Sequence, residues 1–156
     1  MNNIIKKIPF KNIAIALALA IFFSLDRYLK IAAFNLKVEE SKELLGNILT
    51  FNFTPNYNIA FSLPLGGPAL NIAIITLVIL IALIVLFLNI SKTPHYLEII
   101  CLTFILGGAI SNLIDRLNYG YVIDYLYLQY FTVFNLADIM ISGGAIILII
   151  KNLRSK

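Results

Sequence analysis

The sequence predicts an all-α membrane protein, a four-transmembrane-helix bundle with a small extracytoplasmic β-element. The first observation is composition: of the 156 residues, 60% are hydrophobic and 13% are charged, with a mean hydropathy of +0.91. An ordinary soluble domain is roughly 45–50% apolar and about 25% charged. A soluble chain of this size cannot bury so much apolar surface. The composition therefore excludes a soluble enzyme, a disordered chain and an ordinary nucleic-acid-binding domain.

The second observation is that four segments have about the 20 mostly apolar residues that a spanning helix needs. They cover about residues 10–34, 68–88, 96–114 and 131–150. The first segment has an alternative interpretation as a secretory signal peptide, because its apolar centre is short and Ala32-Ala33 follows it. Three further spans favour an uncleaved helix. We therefore expect a single integral membrane domain over residues 1–156.

The third observation is the distribution of charge. Three segments contain basic and no acidic residues, namely the one before the first span, the connection of spans two and three, and the one after the fourth span. Their basic residues are Lys6, Lys7, Lys11, Lys92, Lys151, Arg154 and Lys156. Because basic residues remain on the cytoplasmic side, both termini are predicted to be cytoplasmic. The other two connections are then extracytoplasmic.

The first outer connection, about residues 35–67, contains a strand pattern. Gly46-Asn47 is typical of a turn, and residues 48–54 then alternate between apolar and polar side chains. This pattern predicts a small β-element on the outer membrane surface. The aromatic residues of 119–134 are interpreted as an interfacial belt.

Polar side chains cluster at the predicted outer interface. Because polar groups at membrane level are costly, such a cluster requires an explanation. Asn135 and Asp138 share a helix face, and Asp26 and Lys30 have the spacing of a helical ion pair. An aspartate about 10 Å along its helix would cost roughly 2.5–3.5 kcal/mol if it faced lipid, so Asp138 is expected to face the bundle interior or a hydrated cleft. The cluster comprises Asp26, Arg27, Lys30, Asn56, Asn58, Asn112, Asp115, Arg116, Asp124, Asn135 and Asp138.

Structural interpretations of these residues remain open. Asp26–Lys30 and Asp115-Arg116 each have an alternative role as a stabilising ion pair at a helix end. Gly107-Gly108 and Gly143-Gly144 are typical of close helix packing in membranes. Asp138 is the hardest to explain structurally, because no basic residue lies within one helical turn of it.

The residue inventory limits the possible chemistry. The chain has one histidine and one cysteine, has no G-x-S-x-G motif and has no cluster with metal-ligand spacing, which excludes a zinc peptidase and a serine–histidine mechanism. Paired carboxylates remain, because two close acids share a proton, and one can then activate water while the other polarises a carbonyl. Spacing alone leaves open which two of Asp26, Asp115, Asp124 and Asp138 form the pair.

Five motifs in order resemble those of the bacterial lipoprotein signal peptidases (signal peptidase II), a family of aspartyl peptidases. The segment DRYLK at 26–30 is similar to D-Q-x-x-K, and NYNIAF at 56–61 is similar to N-x-G-x-A-F. The longest motif, GGAISNLIDR at 107–116, is similar to G-G-x-x-G-N-x-x-D-R. Finally, VIDY at 122–125 is similar to V-x-D-F, and FNLAD at 134–138 matches F-N-x-A-D. Each motif alone is weak, but five in order across a matching topology are highly specific.

The resemblance implies a membrane aspartyl endopeptidase of the bacterial cytoplasmic membrane. It would remove the signal peptide from diacylglyceryl-modified prolipoproteins by cleaving just before the lipidated cysteine. The implied catalytic residues are Asp124 and Asp138, and the resemblance implies no metal or organic cofactor. The implied substrate-binding or supporting residues are Asn56, Asn112, Asp115, Arg116, Asn135 and Ala137, and we add Asp26 and Lys30 from the same interface. The expected partners are lipidated prolipoproteins and membrane lipids, without nucleic acid, for a monomeric enzyme.

Four positions depart from the motifs, and all four spare the two implied catalytic aspartates. Arg27 replaces Gln, Asn58 replaces Gly, Ser111 replaces Gly and Tyr125 replaces Phe.

Two other functions remain as alternatives. A small transporter or antiporter would use membrane carboxylates as proton relays, but it predicts polar groups at the midplane, whereas these cluster on one side. A non-catalytic lipoprotein-binding factor would keep a polar cleft at this interface but would not need both aspartates.

Overall fold

The computed structural model describes residues 10–36, 41–57, 68–90 and 95–154. Within these ranges the chain forms four α-helices and four short β-strands. The elements are α1 (Phe10–Phe34), β1 (Lys42–Leu45), β2 (Leu49–Asn56), α2 (Pro68–Ile90), α3 (Tyr96–Tyr119), β3 (Val122–Leu128), β4 (Thr132–Phe134) and α4 (Leu136–Arg154). The predictions for residues 58–61 and for Lys6, Lys7, Lys92 and Lys156 concern residues outside the described ranges.

Among the described residues, three helices are long and apolar enough to cross a membrane. These are Asn12–Phe34 of α1, together with α3 and α4, while α2 contributes the shorter apolar stretch Leu77–Leu86. Large apolar side chains on the helices point outward, as with Leu17 and Ile21 of α1. A soluble fold would bury such side chains, so the outer surface is suited to hydrocarbon. Helix α3 contacts α1, α2 and α4 and is the centre of the bundle.

The predicted helix bounds agree for α1 and differ elsewhere. Helix α2 runs two residues beyond the predicted end at 88, and α3 continues from 114 to Tyr119. Gly120 then ends α3 in the left-handed conformation, with φ of +81°. The predicted start of the fourth span at 131 is wrong, since residues 132–134 form β4 and α4 begins at Leu136. Hydropathy places apolar residues in the span but does not distinguish a short apolar strand from the first helical turn.

The sheet joins the connection that follows α1 to the connection between α3 and α4. Its strand order is β1-β2-β3-β4, and each neighbouring pair is antiparallel. The predicted turn and strand of the first connection are confirmed, with Gly46 between β1 and β2 at a φ of +47°. The interpretation of 119–134 as an interfacial aromatic belt is wrong for its centre. That segment forms β3 and β4, and Tyr125 is fully buried in a core cluster with Ala33 and Ile123.

Candidate active site

Asp124 lies on β3 and is almost completely buried. In the sheet it is paired directly with Thr54 of β2, and Asn56 lies two residues further along the same strand. Alternate residues of a strand share a face, so Asn56 and Asp124 are on the same side of the sheet. The Asn56 Nδ2 donates to Asp124 Oδ2 at 2.8 Å. Antiparallel pairing thus brings together two polar residues that are far apart in the sequence.

The environment of Asp124 favours its protonated form. Burial raises the pKa of the Asp124 carboxyl to about 6, and the negative charge of Asp138 acts in the same direction. Hydrogen bonds from Asn56 and Asn135 oppose this increase but do not cancel it. Asp124 therefore holds a proton at a pH where an exposed aspartate is ionised.

Asp138 lies in the first turn of α4, where it forms a capping box with Asn135. The Asn135 Oδ1 accepts a hydrogen bond from the Asp138 backbone N at 2.8 Å, and the Asp138 Oδ2 accepts one from the Asn135 backbone N at 3.2 Å. This reciprocal pair satisfies two backbone donors at the helix N-terminus. It also fixes the direction of the Asp138 side chain, so the three-residue spacing noted in the sequence has a structural cause.

Asn135 also connects Asp138 to Asp124. Its Nδ2 donates to Asp124 Oδ1 at 2.7 Å, while its Oδ1 accepts from the Asp138 backbone. Asn135 is itself completely buried. One side-chain amide therefore contacts both residues that the resemblance implies are catalytic, and holds them in one hydrogen-bonded unit.

Asn112 of α3 is the second amide at Asp138, and Lys30 sets its orientation. The Lys30 Nζ donates to Asn112 Oδ1 at 2.7 Å, so the other end of the same amide, Nδ2, faces Asp138 Oδ1 at 2.8 Å. An amide has an acceptor at one end and donors at the other, so a cation on the oxygen determines the direction of its NH₂ group.

Lys30 also forms ion pairs with two acids. Its Nζ lies 3.3 Å from Asp26 Oδ2 and 2.7 Å from Asp115 Oδ2, and the side chains of all three residues are fully buried. The expected Asp26–Lys30 pair is thus present, although inside the bundle. Asp115 also accepts from Arg27 Nη1 at 2.5 Å and from the Ile123 backbone N at 3.2 Å. Buried charges require such partners, because an unpaired one is strongly destabilising.

Arg116 is placed beside the aspartates from the last turns of α3. Its Nη1 donates to the Asn112 backbone oxygen at 3.5 Å, and its charge interacts with Asp138, Asp124 and Asp115. The positive charges at the site therefore come from two helices, with Arg27 and Lys30 on α1 and Arg116 on α3.

The N-terminus of α4 is held by side chains from other elements. The Leu136 backbone N donates to the Tyr125 hydroxyl at 2.9 Å, and the Ala137 backbone N donates to Asp26 Oδ1 at 3.1 Å. Free N–H groups at a helix start need such acceptors. Burial, and then the charge of Asp26, raises the pKa of Tyr125, so its hydroxyl remains protonated. The contribution of Ala137 to the site is therefore its backbone.

Close helix packing brings α3 to the start of α4. A Cβ on Gly108 would lie 2.5 Å from the Ala137 backbone oxygen, and one on Gly144 would lie 2.8 Å from the Cys101 backbone oxygen. At Gly143, nothing lies within 4 Å of such an atom. Gly107 also lies in a close contact, because a Cβ there would meet the Leu19 side chain of α1. The packing interpretation of the glycine pairs therefore holds for Gly107, Gly108 and Gly144 but not for Gly143.

All ten residues predicted for the site lie in this hydrogen-bonded and electrostatic cluster. Sequence reasoning missed the contributions of Ser111 and Tyr125, which it noted only as departures from the motifs, and it placed Arg27 in the polar cluster without including it in the site. Ser111 Oγ donates to Asp26 Oδ2 at 2.6 Å, and the Tyr125 hydroxyl donates to Asp26 Oδ1 at 3.0 Å. The available signal was that Ser111 and Tyr125 each introduce a hydroxyl, and Arg27 a positive charge, directly beside a predicted site residue.

The chemistry suited to this site is general acid–base catalysis by two carboxyl groups. Within the described ranges, no group of three or more His, Cys, Asp or Glu side chains is arranged to hold a metal ion. Asp124 and Asp138 instead accept hydrogen bonds from amides, and the raised pKa of Asp124 allows the pair to retain a single proton. Such a pair can donate a proton from one acid and accept one at the other.

Comparisons with known proteins agree with the motifs. A sequence model of the family described as Signal peptidase (SPase) II matches residues 17–154. The Lipoprotein signal peptidase of Clostridium tetani (strain Massachusetts / E88) is 36% identical over 132 residues, covering 81% of this chain and 83% of the relative. That of Streptococcus agalactiae serotype Ia is 32% identical over 143 residues, covering 90% and 92%.

Solved structures show the same fold. A bacterial membrane enzyme determined by the in meso method at 2.3 Å resolution has a TM-score of 0.77 at 22% identity, over 90% of this chain and 88% of the other. A second, at 1.9 Å, has a TM-score of 0.75 at 23% identity, over 92% and 94%. The family match covers most of the sequence and includes every residue of the aspartate site, so this chain belongs to the signal peptidase II family.

Proposed function

We propose that this protein is an aspartic endopeptidase that removes the signal peptide from diacylglyceryl-modified prolipoproteins, with Asp124 and Asp138 as its catalytic pair. The observation that carries this proposal is the bridge through Asn135, whose Nδ2 contacts Asp124 Oδ1 at 2.7 Å while its Oδ1 contacts the Asp138 backbone at 2.8 Å. The substrate class follows from the family and from the names of the relatives.

The proposed mechanism uses one proton between the two acids. Asp124 holds it, because burial and the charge of Asp138 raise its pKa to about 6. Ionised Asp138 accepts a proton from a water molecule as that water attacks the scissile carbonyl, and Asp124 donates to the carbonyl oxygen. When the tetrahedral intermediate collapses, the carbon–nitrogen bond breaks. The amine of the lipidated cysteine then leaves with the proton that Asp138 had accepted. The Asp124 carboxylate takes back a proton from a hydroxyl of the intermediate, which re-forms the carbonyl of the new carboxylic acid and restores both aspartates to their starting states.

The position of the pair fits a lipid-modified substrate. The cluster lies where α1 and α3 end, where α4 begins and where the sheet starts, which is one end of the helical bundle. A diacylglyceryl chain can remain in the bilayer while the adjacent peptide bond reaches a hydrated site at this end. Water must reach the scissile bond, which accounts for polar groups at the membrane boundary.

We further propose the membrane arrangement. The chain is one membrane domain whose α2 is the fourth span, in the bacterial cytoplasmic membrane, with cytoplasmic termini and an extracytoplasmic site. Lys151 and Arg154 support this orientation, because they lie in the last turn of α4, at the end opposite to Asp138. The enzyme acts as a monomer surrounded by membrane lipids.

The test is cleavage of a defined substrate by the full chain. Purified protein is incubated with a preprolipoprotein that carries diacylglyceryl-cysteine, and mass spectrometry identifies the new N-terminus. We expect cleavage immediately before the lipidated cysteine. Asp124→Asn and Asp138→Asn should each abolish cleavage while the protein still inserts in the membrane. Glu43→Gln is the matched control, because this acid lies on exposed strand β1 and should retain activity.

Each other outcome contradicts part of the proposal. Full cleavage by either Asn variant removes that aspartate from the catalytic pair. Binding of the prolipoprotein without cleavage by the wild-type protein indicates a non-catalytic lipoprotein-binding factor. Ion movement across sealed vesicles that requires Asp138, without any cleavage, indicates a transporter.

A further inference from the structure

Two buried hydroxyl groups donate hydrogen bonds to Asp26 and not to the aspartate pair. Ser111 belongs to α3 and Tyr125 to β3, and both side chains are 0% exposed. Both donate to the same carboxylate, that of Asp26 in α1, at 2.6 and 3.0 Å. The motifs that this chain resembles have Gly and Phe at the two hydroxyl positions, so both hydroxyls are features of this sequence.

Tyr125 connects the strand that carries Asp124 to the helix that carries Asp138. It directly follows Asp124, and successive residues of a strand point to opposite faces. The side chain of Asp124 therefore points to Asn56 and Asn135, while that of Tyr125 points to α1 and α4. The Tyr125 hydroxyl accepts the Leu136 backbone N–H at 2.9 Å, two residues before Asp138.

Asp26 carries the same connection into the next residue of α4. Its Oδ1 accepts from the Ala137 backbone N at 3.1 Å and from the Tyr125 hydroxyl. Its Oδ2 accepts from Ser111 and is paired with Lys30. Each oxygen thus has two partners, which hold the carboxylate from α1, α3, β3 and α4 together.

We infer that Ser111 and Tyr125 are positioning residues that hold the first turn of α4 and so set the position of Asp138 relative to Asp124. Both act through Asp26, and Tyr125 also acts directly by accepting the Leu136 N–H. This inference rests on the proposed catalytic pair. A displacement of about 1 Å between reacting groups can reduce a rate by about a hundredfold, so a buried connection at this point has a measurable consequence.

A positioning role differs from a merely structural one in its effect on the pH profile. Two acids at a fixed short separation titrate in two well-separated steps, because the first charge opposes the second. If the acids move apart, the two steps approach each other, and the pH range in which the pair holds one proton becomes narrower. Loss of folded protein alone lowers the signal at every pH by the same factor.

The experiment compares Tyr125→Phe with the wild-type full chain on a lipidated preprolipoprotein. The variant keeps the ring but removes the acceptor of the Leu136 N–H and one donor to Asp26. We expect kcat to decrease by about tenfold to a hundredfold, with KM within about twofold because the hydroxyl is buried away from any substrate. The kcat–pH profile should become narrower. The matched control is Tyr127→Phe, which removes a hydroxyl from the same strand at a residue that is 38% exposed.

Ser111→Ala tests the same connection from α3. We expect a smaller decrease in kcat with the same narrowing, because Asp26 Oδ2 retains Lys30. Since both hydroxyls act through one carboxylate, the double variant should lose less than the product of the two single losses. Multiplicative effects of the two variants would overturn the shared role of Asp26.

The outcomes separate this inference from the proposed function. If Asp124→Asn and Asp138→Asn still cleave, the catalytic pair is wrong. If they are inactive but Tyr125→Phe and Ser111→Ala keep the wild-type kcat and pH width, only the positioning role is overturned. If both hydroxyl variants fail to fold, or lose signal equally at every pH, their role is structural and the inference is also overturned.

Discussion

Asn135→Ala is the most informative single perturbation, because this residue contacts both aspartates. The substitution removes the N-cap of α4, which is worth about 1 kcal/mol, and a hydrogen bond to a carboxylate, which is worth about 1.5–3 kcal/mol. We expect the free energy of unfolding to decrease by about 3 kcal/mol from these two losses. It should be measured by thermal or denaturant unfolding in detergent, beside cleavage of lipidated prolipoprotein.

The same substitution has a defined effect on the pH profile. The Asn135 hydrogen bond lowers the pKa of Asp124, while burial and the charge of Asp138 raise it to about 6. Removal of the Asn135 donor therefore raises that pKa further. The alkaline limb of kcat/KM, where Asp124 loses its proton, should move to higher pH, and kcat at the optimum should decrease because Asp124 has lost an orienting donor.

A second variant separates capping from contact with Asp124. Asn135→Ser keeps a side-chain oxygen that caps the helix but lacks the amide NH₂, so it should recover stability more than activity. Asn118→Ala is the control, because Asn118 lies exposed near the end of α3 and should change neither property. Wild-type kcat/KM and an unchanged pH profile in Asn135→Ala would refute the idea that this amide organises the aspartate pair.

Three further predictions follow from charge, packing and titration. Lys30→Met leaves two buried carboxylates without their shared cation and should destabilise the protein by about 3–5 kcal/mol; an unchanged unfolding temperature would contradict this. Gly108→Ala places a Cβ 2.5 Å from the Ala137 backbone oxygen and should lower both the unfolding temperature and kcat, while Gly143→Ala, which meets nothing within 4 Å, should leave both unchanged. Because the pKa of Asp124 is raised to about 6, the protonated pair is lost as the pH rises through that value, so wild-type kcat/KM should decrease there; a flat profile from pH 5 to 8 would rule out this assignment.

The sequence by itself determined the class of protein and its family. Hydropathy is a sum over neighbouring residues, so apolar stretches show in the sequence wherever the chain later folds. The motifs and the interface pattern likewise identified ten site residues, from Asp26 to Asp138. The structure brings these ten residues together in one cluster. The positive-inside rule added an orientation from the charges alone, which remains a prediction.

Local patterns were not sufficient for the boundaries and the sheet. Residues 132–134 are apolar enough for a helix start, so hydropathy assigns them to the fourth span although they pair with β3. The aromatic residues within 119–134 predict an interfacial belt and not the strand from Val122 to Leu128, because the partner β2 is distant in the sequence. Strand pairing depends on a partner that lies outside any local window.

Only the tertiary structure decided how the polar residues act on one another. The contacts of Asp26 with Ser111 and Tyr125, and the bridge of Asn135 to Asp124, join elements whose order in the chain does not specify their contacts. The sequence supplied the hydrogen-bonding groups and their helical or strand spacing. Which acceptor each donor reaches was decided by the packing of α1, α3 and the sheet around the start of α4, because hydrogen bonds act over about 3 Å and depend on direction.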